Sequence, residues 1–421
     1  MKQNTQTDVS TLFPYRVLDL SNQWGLFCGK ILSDMGADVI KVEPPGGDPT
    51  RKTGPYFKNS GKPEESLFWF AFNTNKKSIT LNIETEEGQN IIKEMVKNTD
   101  FIIESFQPGY MAKLGLSYEE LSKINPGLIM VSVSAFGQTG PFADYKATDL
   151  TVTALGLLLN ECGNLDRPPV QVGFPQTIGN AGADAAVGAM IAHYHRQMNG
   201  GEGQHVDVSA MESVLWPAGE VMPEFFLLGL NSSRVGKAFV RPNGLRLPVI
   251  WEAKDGYISY LLLGGAPGAK ANRGITELLI EDGICPDYLA EKKWAEWDFD
   301  STTQEDLEMI TKPFAEYFKK HTKEEIISKT LVRGISCYTV TDASDVVNEE
   351  QSEARKFWIN VEHDELNATI KYPGPFAVFS ETPIKAYRRP ALPGEDNEDI
   401  YGKELGYDSN KLSELKSKNI I

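Results

Sequence analysis

Glycines and small polar residues follow four short segments of this sequence that have the composition of buried β-strands. The four stretches are SNQWG at 21–25, EPPGG at 43–47, SFQPG at 105–109 and SAFGQ at 134–138. Glycine lets a ligand approach the backbone closely, and the polar groups beside it can bind a phosphate or a long polar molecule. None of the four is a GxGxxG or GxxxxGK[ST] motif, which argues against nicotinamide dinucleotides and P-loop nucleotides.

The histidines and cysteines form no pattern typical of a metal centre or a disulfide framework. Among the five histidines, His193 and His195 form an HxH pair, and at this spacing the two side chains lie on different faces of a helix. The four cysteines are far apart and include no CxxC pair: Cys28, Cys162, Cys285 and Cys337. We therefore expect no metal site and no disulfide scaffold.

Strand patterns and helix patterns alternate in the part of the chain that contains these stretches. The alternation predicts an α/β fold with a parallel sheet covered by helices on its faces. Ligands of such sheets bind beyond the carboxyl ends of the strands, where the four polar stretches lie. Strands are predicted at 16–21, 38–43, 101–104, 128–134 and 204–209, and helices at 26–35, 85–98, 117–124 and 179–198. A C-terminal helix is predicted at 397–421, with 411–418 amphipathic.

The segment 217–345 differs in character from the sequence on either side of it. It contains Trp251, a hairpin signal at Asp255-Gly256, a GGAPG stretch at 264–268 and acidic helix patterns. We interpret GGAPG as a surface turn. The prediction is a small α+β domain at 217–345, inserted into a large Rossmann-like domain that consists of 1–216 and 346–421.

The composition is that of a globular protein with an acidic surface. The 421 residues include 42 Lys and Arg against 58 Asp and Glu, which gives a net charge of −16. This charge argues against nucleic-acid and anionic-membrane partners, because both need a basic face. No apolar stretch approaches the roughly 18 residues of a membrane-spanning helix, and the polar N-terminus does not resemble a secretory signal. We expect a cytoplasmic protein.

Five longer segments follow one another, in a recognisable order, between residues 16 and 214, and the C-terminal segment 392–421 continues this order, so that it extends over nearly the whole chain. They are RVLDLSNQWGLFCGKILSDMGADVIKVEPPGGDPTR at 16–51, FNTNKKSITLNIETEEG at 72–88, ESFQPGYMAKLGL at 104–116, SVSAFGQTGP at 132–141 and HRQMNGGEGQHVDVSAMESV at 195–214. Together they resemble the family III CoA-transferases, which include formyl-CoA and carnitine CoA-transferases and, as relatives, 2-methylacyl-CoA racemases. The resemblance implies two-domain chains in an interlocked dimer, with a CoA thioester as substrate on the large domain and no tightly bound cofactor.

The resemblance also implies a reaction. In family members an aspartate carboxylate attacks the acyl-CoA carbonyl and expels the thiolate. CoA then opens the mixed anhydride to give an aspartyl thioester, and a second acid takes up the CoA. The aspartate precedes a helix of small residues, in a pattern close to Asp-x-x-[Ala/Ser/Thr]-Gly.

This sequence departs from that pattern at the nucleophile. Aligning on the AG at 181–182 puts Ile178 at the aspartate position, whereas aligning on the FP at 174–175 puts Gly179 there. Neither residue can act as a nucleophile. The resemblance thus implies a transferase chain that itself lacks the catalytic aspartate.

Several interpretations of this departure remain open. In the first, the chain is a non-catalytic subunit that pairs with a homologous chain carrying the aspartate. In the second, a relocated carboxylate makes a self-sufficient homodimeric transferase, with Asp184, about 9 Å further along the helix, or Asp149 as the candidate. In the third, the protein is an isomerase that uses acid–base chemistry, as the racemases do. A non-catalytic acyl-CoA-binding protein is a further class.

The first interpretation matches a pattern among two-subunit family members of anaerobic aromatic degradation. Those enzymes transfer CoA from succinyl-CoA to an arylsuccinate such as benzylsuccinate, and one of their two homologous chains lacks the nucleophile. This chain resembles that subunit. The partners implied are a homologous catalytic chain in a hetero-oligomer, a CoA thioester and a dicarboxylic acid.

Contacts with CoA are implied at nine positions. Trp24 either fills space near the thioester end or packs in the core, and the lysine pair at 76–77 either meets the CoA phosphates or faces solvent. Pro44-Pro45 stands where family members often carry basic residues, which argues against tight binding of the adenine end. The nine residues are Gln23, Trp24, Gly25, Asn73, Lys76, Lys77, Ser105, Phe106 and Lys113.

Overall fold

The computed structural model describes residues 10–219, 221–241, 243–384 and 387–421, so the polar stretch 1–9 lies outside the described residues. The chain divides into two compact units. The first comprises Met1–Leu159, Gln171–Asn231 and Ala354–Ile421, and the second comprises Asn160–Val170 and Ser232–Glu353. These bounds differ from the predicted small domain, 217–345. A short turn follows the preceding helix at Trp216–Ala218, and the chain continues through a further helix, Val221–Leu228, before the second unit resumes at Ser232.

Six parallel strands form the central sheet of the first unit. They are β1 (Arg16–Asp19), β2 (Asp38–Glu43), β3 (Lys77–Thr80), β4 (Phe101–Glu104), β5 (Ile129–Ser134) and β6 (His205–Ser209). Their order across the sheet is β3-β2-β1-β4-β5-β6. The order in which strands are added to the sheet reverses between β1 and β4. The loops after these two strands therefore diverge and leave a crevice at the carboxyl edge. The sequence predicts every strand of this sheet except β3, a four-residue edge strand.

Helices cover both faces of this sheet, because β4 and β5 are buried along their whole length and need apolar cover on each side. The predicted amphipathic helix at 85–98 is confirmed as Glu86–Val96, which Thr85 caps by accepting the Gly88 N–H. The helices are α1 (Leu26–Asp34), α2 (Leu67–Asn73), α3 (Glu86–Val96), α4 (Tyr110–Lys113), α5 (Tyr118–Ile124), α6 (Asp149–Leu155), α7 (Leu158–Glu161), α8 (Gln176–Met198), α9 (Ala210–Leu215) and α10 (Val221–Leu228).

The longest helix, α8, packs directly on α1. A Cβ atom added to Gly182 would lie 2.6 Å from the Cβ of Phe27, so the two backbones approach this closely only because residue 182 is glycine. The small residues Ala181, Ala185 and Ala189 of α8 are fully buried in the same core. The predicted helix at 179–198 is thus confirmed, and it begins one turn earlier, at Gln176.

The second unit combines short antiparallel strands with helices. The predicted hairpin at Asp255-Gly256 is confirmed, because Gly256 pairs with Ala253. GGAPG at 264–268 is not the predicted surface turn, since a helix begins at Gly265 and the proline is tolerated in its first turn. The elements are β7 (Ala238–Val240), β8 (Arg246–Pro248), β9 (Ile250–Ala253), β10 (Gly256–Tyr260), α11 (Gly265–Glu281), α12 (Asp287–Ala290), α13 (Gln304–Lys320), α14 (Lys323–Leu331), β11 (Cys337–Thr339), α15 (Ala343–Val347) and α16 (Glu350–Ala354).

The last segment of the chain returns to the first unit. It forms a hairpin, β12 (Trp358–His363) and β13 (Ala368–Pro373), a π-helical turn at Glu398–Glu404 and helix α17 (Ser409–Ser417). Leu415 of α17 is buried in the core below β1–β4, which confirms the predicted C-terminal helix. Among the described residues, no helix is both long and apolar enough to cross a membrane.

Candidate functional site

The crevice between β1 and β4 is closed at its base by two residues that tie the loops together. The backbone N–H of Asn22 donates to Ser105 Oγ at 2.7 Å, and Asn22 Nδ2 donates to the carbonyl oxygen of Ser105 at 3.0 Å. The remaining oxygen of the Asn22 amide accepts from the Trp24 N–H at 3.2 Å. The two loops therefore form one ordered surface before any ligand arrives.

A cavity of about 460 Å³ opens at the carboxyl ends of β1 to β4. Part of its wall is aromatic, since Phe106 and Tyr110 lie side by side with ring centroids 4.8 Å apart. The parts of the wall that matter for a ligand are Asn22, Pro44, Pro45, Glu84, Phe106 and Tyr110. A cavity of this size at the point where the strand order reverses is the expected position of a ligand site.

Below this surface lies a fully buried ion pair. Lys76 Nζ donates to Asp19 Oδ2 at 2.8 Å, to the Leu26 carbonyl at 2.9 Å and to Asn73 Oδ1 at 3.0 Å. All three protons of the ammonium are thus used inside the protein, and neither Lys76 nor Asn73 offers a free group to a phosphate. Burial alone would raise the pKa of Asp19, but the charges of Lys76 and Lys41 lower it below its usual range.

A second buried lysine connects the loops after β1 and β2. Lys41 Nζ donates to the Ser21 carbonyl at 2.5 Å and lies 3.3 Å from Asp48 Oδ2. Beside it, Arg51 makes two hydrogen bonds of 2.7 Å to the carboxylate of Glu43. These buried charges pair with one another, so they order the loops and are not presented to a ligand.

Each of the four polar stretches is held by a carboxylate near the end of a strand. Asp19 accepts the Ser21 N–H at 3.0 Å, Glu43 accepts the Asp48 N–H at 2.8 Å and Glu104 accepts the Phe106 N–H at 2.8 Å. Asp207 of β6 accepts the Gln138 N–H with both oxygens, at 3.1 and 2.9 Å. These amides therefore point toward protein carboxylates, and none of the four is available to an anionic ligand.

Glu104 and Asp207 were not identified from the sequence. The signal for Glu104 is the run FIIE, in which an acid ends an otherwise apolar strand. Burial raises the pKa of Glu104, and the nearby charge of Asp207 raises it further, although the Ser132 hydroxyl and the Phe106 N–H lower it. The pairing of Glu104 with Ser132, and of Ser132 with Asp207, places all three in one row across β4, β5 and β6.

The remaining predicted contacts lie in three different places. Gln23 is exposed at the crevice, Gly25 is buried just before α1, and Trp24 is only 8% exposed and packs in the core. Lys113 is exposed at the end of α4. Lys77 lies at the opposite, amino-terminal edge of the sheet, where its Nζ is 2.7 Å from Asp38 Oδ1.

Position 178 lies in the first turn of α8. The side chain of Ile178 is 4% exposed, whereas a Cβ added to Gly179 would meet no atom within 4 Å. Asp149 Oδ1 accepts the Thr177 N–H at 2.9 Å and the Thr177 hydroxyl at 2.7 Å, and Gln171 donates to its other oxygen at 3.2 Å. Asp149 therefore fixes the start of α8, as a capping residue does.

Asp184 is exposed on α8, six residues after position 178. That spacing corresponds to about 9 Å along the helix axis, too far for Asp184 to replace a side chain at 178 without a rearranged site. Within the described residues, no group of three or more His, Cys, Asp and Glu side chains is arranged to hold a metal ion.

Comparisons with known proteins agree on one family. The model of CoA-transferase family III matches residues 13–397. The chain is 34% identical over 399 residues to the succinyl-CoA–D-citramalate CoA-transferase of Chloroflexus aurantiacus, and the match covers 94% of both chains. It is 30% identical over 405 residues to subunit BbsE of the succinyl-CoA:(R)-benzylsuccinate CoA-transferase of Thauera aromatica, over 95% of this chain and 96% of that one. A CAIB/BAIF family protein from Brucella suis superposes with a TM-score of 0.80 at 26% identity, over 93% of this chain and 98% of that chain, which confirms the predicted fold.

Proposed function

The chain belongs to CoA-transferase family III, and from this we propose that it is the non-nucleophilic subunit of a heteromeric CoA-transferase. In this proposal a homologous chain supplies the aspartate, and the present chain completes the assembly. CoA moves from succinyl-CoA to an arylsuccinate such as benzylsuccinate. The succinyl-CoA donor is named in both relatives, and the arylsuccinate acceptor is named in the benzylsuccinate enzyme, of which the related chain is a subunit.

The observation that carries the proposal is the side chain at position 178. An acyl transfer through an anhydride needs a carboxylate that reaches the thioester carbon. Ile178 offers only a buried hydrocarbon, and Gly179 offers no side chain at all. Asp149, whose carboxylate bonds to the adjacent Thr177, already accepts three hydrogen bonds that hold α8 and its neighbouring loop.

An apolar face on α8 supports the presence of a partner. Val187, Ile191, Tyr194 and Met198 follow one another at helical spacing and are 57–67% exposed. Next to them lies a hollow of about 520 Å³ that includes Ile31, Met35 and Phe376. Contiguous apolar surface of this kind is typical of protein interfaces, and a homologous chain presents the equivalent helix to cover it.

The residues that we propose for CoA contact are those at the crevice. Gln23 and Gly25 follow β1, Ser105 and Phe106 follow β4, and Lys113 is the exposed cation nearest to them along the chain. Trp24 is assigned to the core.

The first experiment is native mass spectrometry of the protein purified from its own cells. A complex of this 46.7 kDa chain with a different chain of similar mass supports the proposal. The partner's sequence must then contain an aspartate at the position aligned with Ile178. A homodimer, or a partner without that aspartate, contradicts the proposal. Asp184 and Asp149 would then be the candidates for a relocated nucleophile.

The second experiment locates the covalent intermediate. The complex is incubated with succinyl-CoA, and intact-mass analysis asks which chain gains an adduct. The expected result is an adduct on the partner alone, with none on this chain in either wild-type or Asp184→Asn form. An adduct on this chain that disappears in Asp184→Asn or Asp149→Asn would instead establish a relocated nucleophile. Saturable CoA binding without a partner and without exchange would indicate an acyl-CoA-binding protein.

A further inference from the structure

The cavity at the carboxyl ends of β1 to β4 has an unusual balance of charge for a site in a CoA enzyme. Three carboxylates line it, those of Glu43, Asp48 and Glu84, and none of the described residues that line it is Lys, Arg or His. The adenosine end of CoA carries a phosphate on its ribose and therefore needs positive charge or free N–H groups. The charged residues of this wall are negative, whereas a ribose phosphate needs positive charge.

Two of the three carboxylates are neutralised below the surface. Glu43 is paired with Arg51, and Asp48 lies 3.3 Å from the ammonium of Lys41. The carboxylate of Glu84 differs, because this residue is exposed and has no cation within ion-pair distance among the described residues. One of its oxygens accepts the Tyr110 hydroxyl at 3.0 Å.

The rest of the wall suits a flat, uncharged ring. The rings of Phe106 and Tyr110 and the side chains of Pro44 and Pro45 provide the kind of surface on which a heteroaromatic base stacks. A carboxylate beside such a base at the end of a strand is the usual acceptor for the hydroxyls of a ribose. Three backbone amides of the surrounding loops, those of Ser21, Asp48 and Phe106, are held by Asp19, Glu43 and Glu104 and do not serve an anion.

We propose that this cavity binds an adenine-type base with an unphosphorylated ribose and rejects a ribose phosphate, with Glu84 as the residue that makes the distinction. The cavity then accepts dephospho-CoA and discriminates against CoA itself. This inference rests on the proposed function in so far as CoA is the substrate of the assembled enzyme.

The size of the effect follows from simple electrostatics. A phosphate carries nearly two negative charges at neutral pH, and a single carboxylate a few ångströms away in a largely aqueous environment lowers affinity by about tenfold. Salt reduces this repulsion, because the Debye length is about 8 Å at physiological ionic strength. The preference should therefore shrink as salt is added.

Isothermal titration of the purified full-length chain with CoA and with dephospho-CoA tests the proposal. Dephospho-CoA should bind about tenfold more tightly. Glu84→Gln should bring the two affinities together, and Glu84→Lys should favour CoA. Glu86→Gln is the matched control, since it removes the same charge two residues away, outside the cavity wall, and should leave the preference unchanged.

Three outcomes would overturn the proposal. The first is that wild-type protein binds CoA as tightly as dephospho-CoA, or more tightly. The second is that Glu86→Gln changes the preference as much as Glu84→Gln does, which would reveal a general effect of net charge. The third is that neither ligand binds at about 1 mM. None of these affects the heteromeric assignment, which the mass of the complex decides separately.

Discussion

Replacing Lys76 by methionine tests whether this lysine is part of the folded core or part of a phosphate site. At 2.8 Å and an effective dielectric constant of about 20, its attraction to Asp19 amounts to about 6 kcal/mol. The variant also avoids the cost of burying an ammonium, so the net loss of stability should be about 3–5 kcal/mol. The carboxylate of Asp19 is fully buried and would keep only Lys41, 3.8 Å away, as a counter-charge.

The adjacent Lys77 provides the control. Its ion pair with Asp38 is equally short, at 2.7 Å, but the two side chains are 34% and 26% exposed. Lys77→Met should therefore cost less than about 1 kcal/mol. The stability losses of Lys76→Met and Lys77→Met are measured by urea denaturation, monitored through hydrogen exchange in β1 and β3. A local probe is needed because a two-unit chain need not unfold in a single step. The double variant Asp19→Asn/Lys76→Met should be more stable than Lys76→Met alone. Equal losses for Lys76→Met and Lys77→Met would refute the structural role of Lys76.

Three further predictions concern α8 and β4. Gly182→Ala should cost about 1–3 kcal/mol, because the added Cβ meets Phe27, whereas Gly179→Ala should be neutral or slightly stabilising; thermal unfolding distinguishes them. Asp149→Ala should cost about 1 kcal/mol through loss of the cap on α8, as measured by urea denaturation. Glu104→Gln should gain stability relative to wild type as pH rises from about 4 to 7, because the raised pKa of Glu104 makes its ionisation cost stability above the unfolded-state pKa.

Each of these predictions has a clear contrary result. Equal losses at positions 182 and 179 would mean that α8 does not approach α1 as closely as the structure places it. An unchanged stability for Asp149→Ala would show that its carboxylate is not needed to hold the start of α8, which would favour a catalytic role for it. A pH-independent difference between Glu104→Gln and wild type would show that the carboxyl of Glu104 titrates normally in the folded protein.

The strands could be predicted because they depend on local composition, and the family could be predicted because several segments resemble it in sequence. Runs such as DVIKVE and FIIE are apolar enough to be buried in any α/β sheet, and the four polar stretches follow directly from them. The strand β3 was missed because four residues, KSIT, carry no such signal. Its position depends on pairing with β2, which is a long-range contact.

The roles of the charged residues could not be predicted in the same way. Lys76 directly precedes β3 and Lys77 is its first residue, and composition does not reveal which of the two side chains is buried. The structure shows that Lys76 meets Asp19, 57 residues earlier, and that Lys77 lies at the far edge of the sheet. Likewise, the carboxylates of Glu104 and Asp207 order loops through backbone contacts that a sequence pattern does not encode.

The start of α8 is ordered by contacts that do not require a carboxylate at position 178. Asp149 holds Thr177, and Gly182 lets the helix pack on α1, so these two contacts do not involve the side chain that follows Thr177. Further along the same helix, Val187, Ile191 and Tyr194 expose apolar side chains. A partner that covers this surface is part of our proposal, so the composition of the purified complex tests the proposal more directly than the activity of the isolated chain.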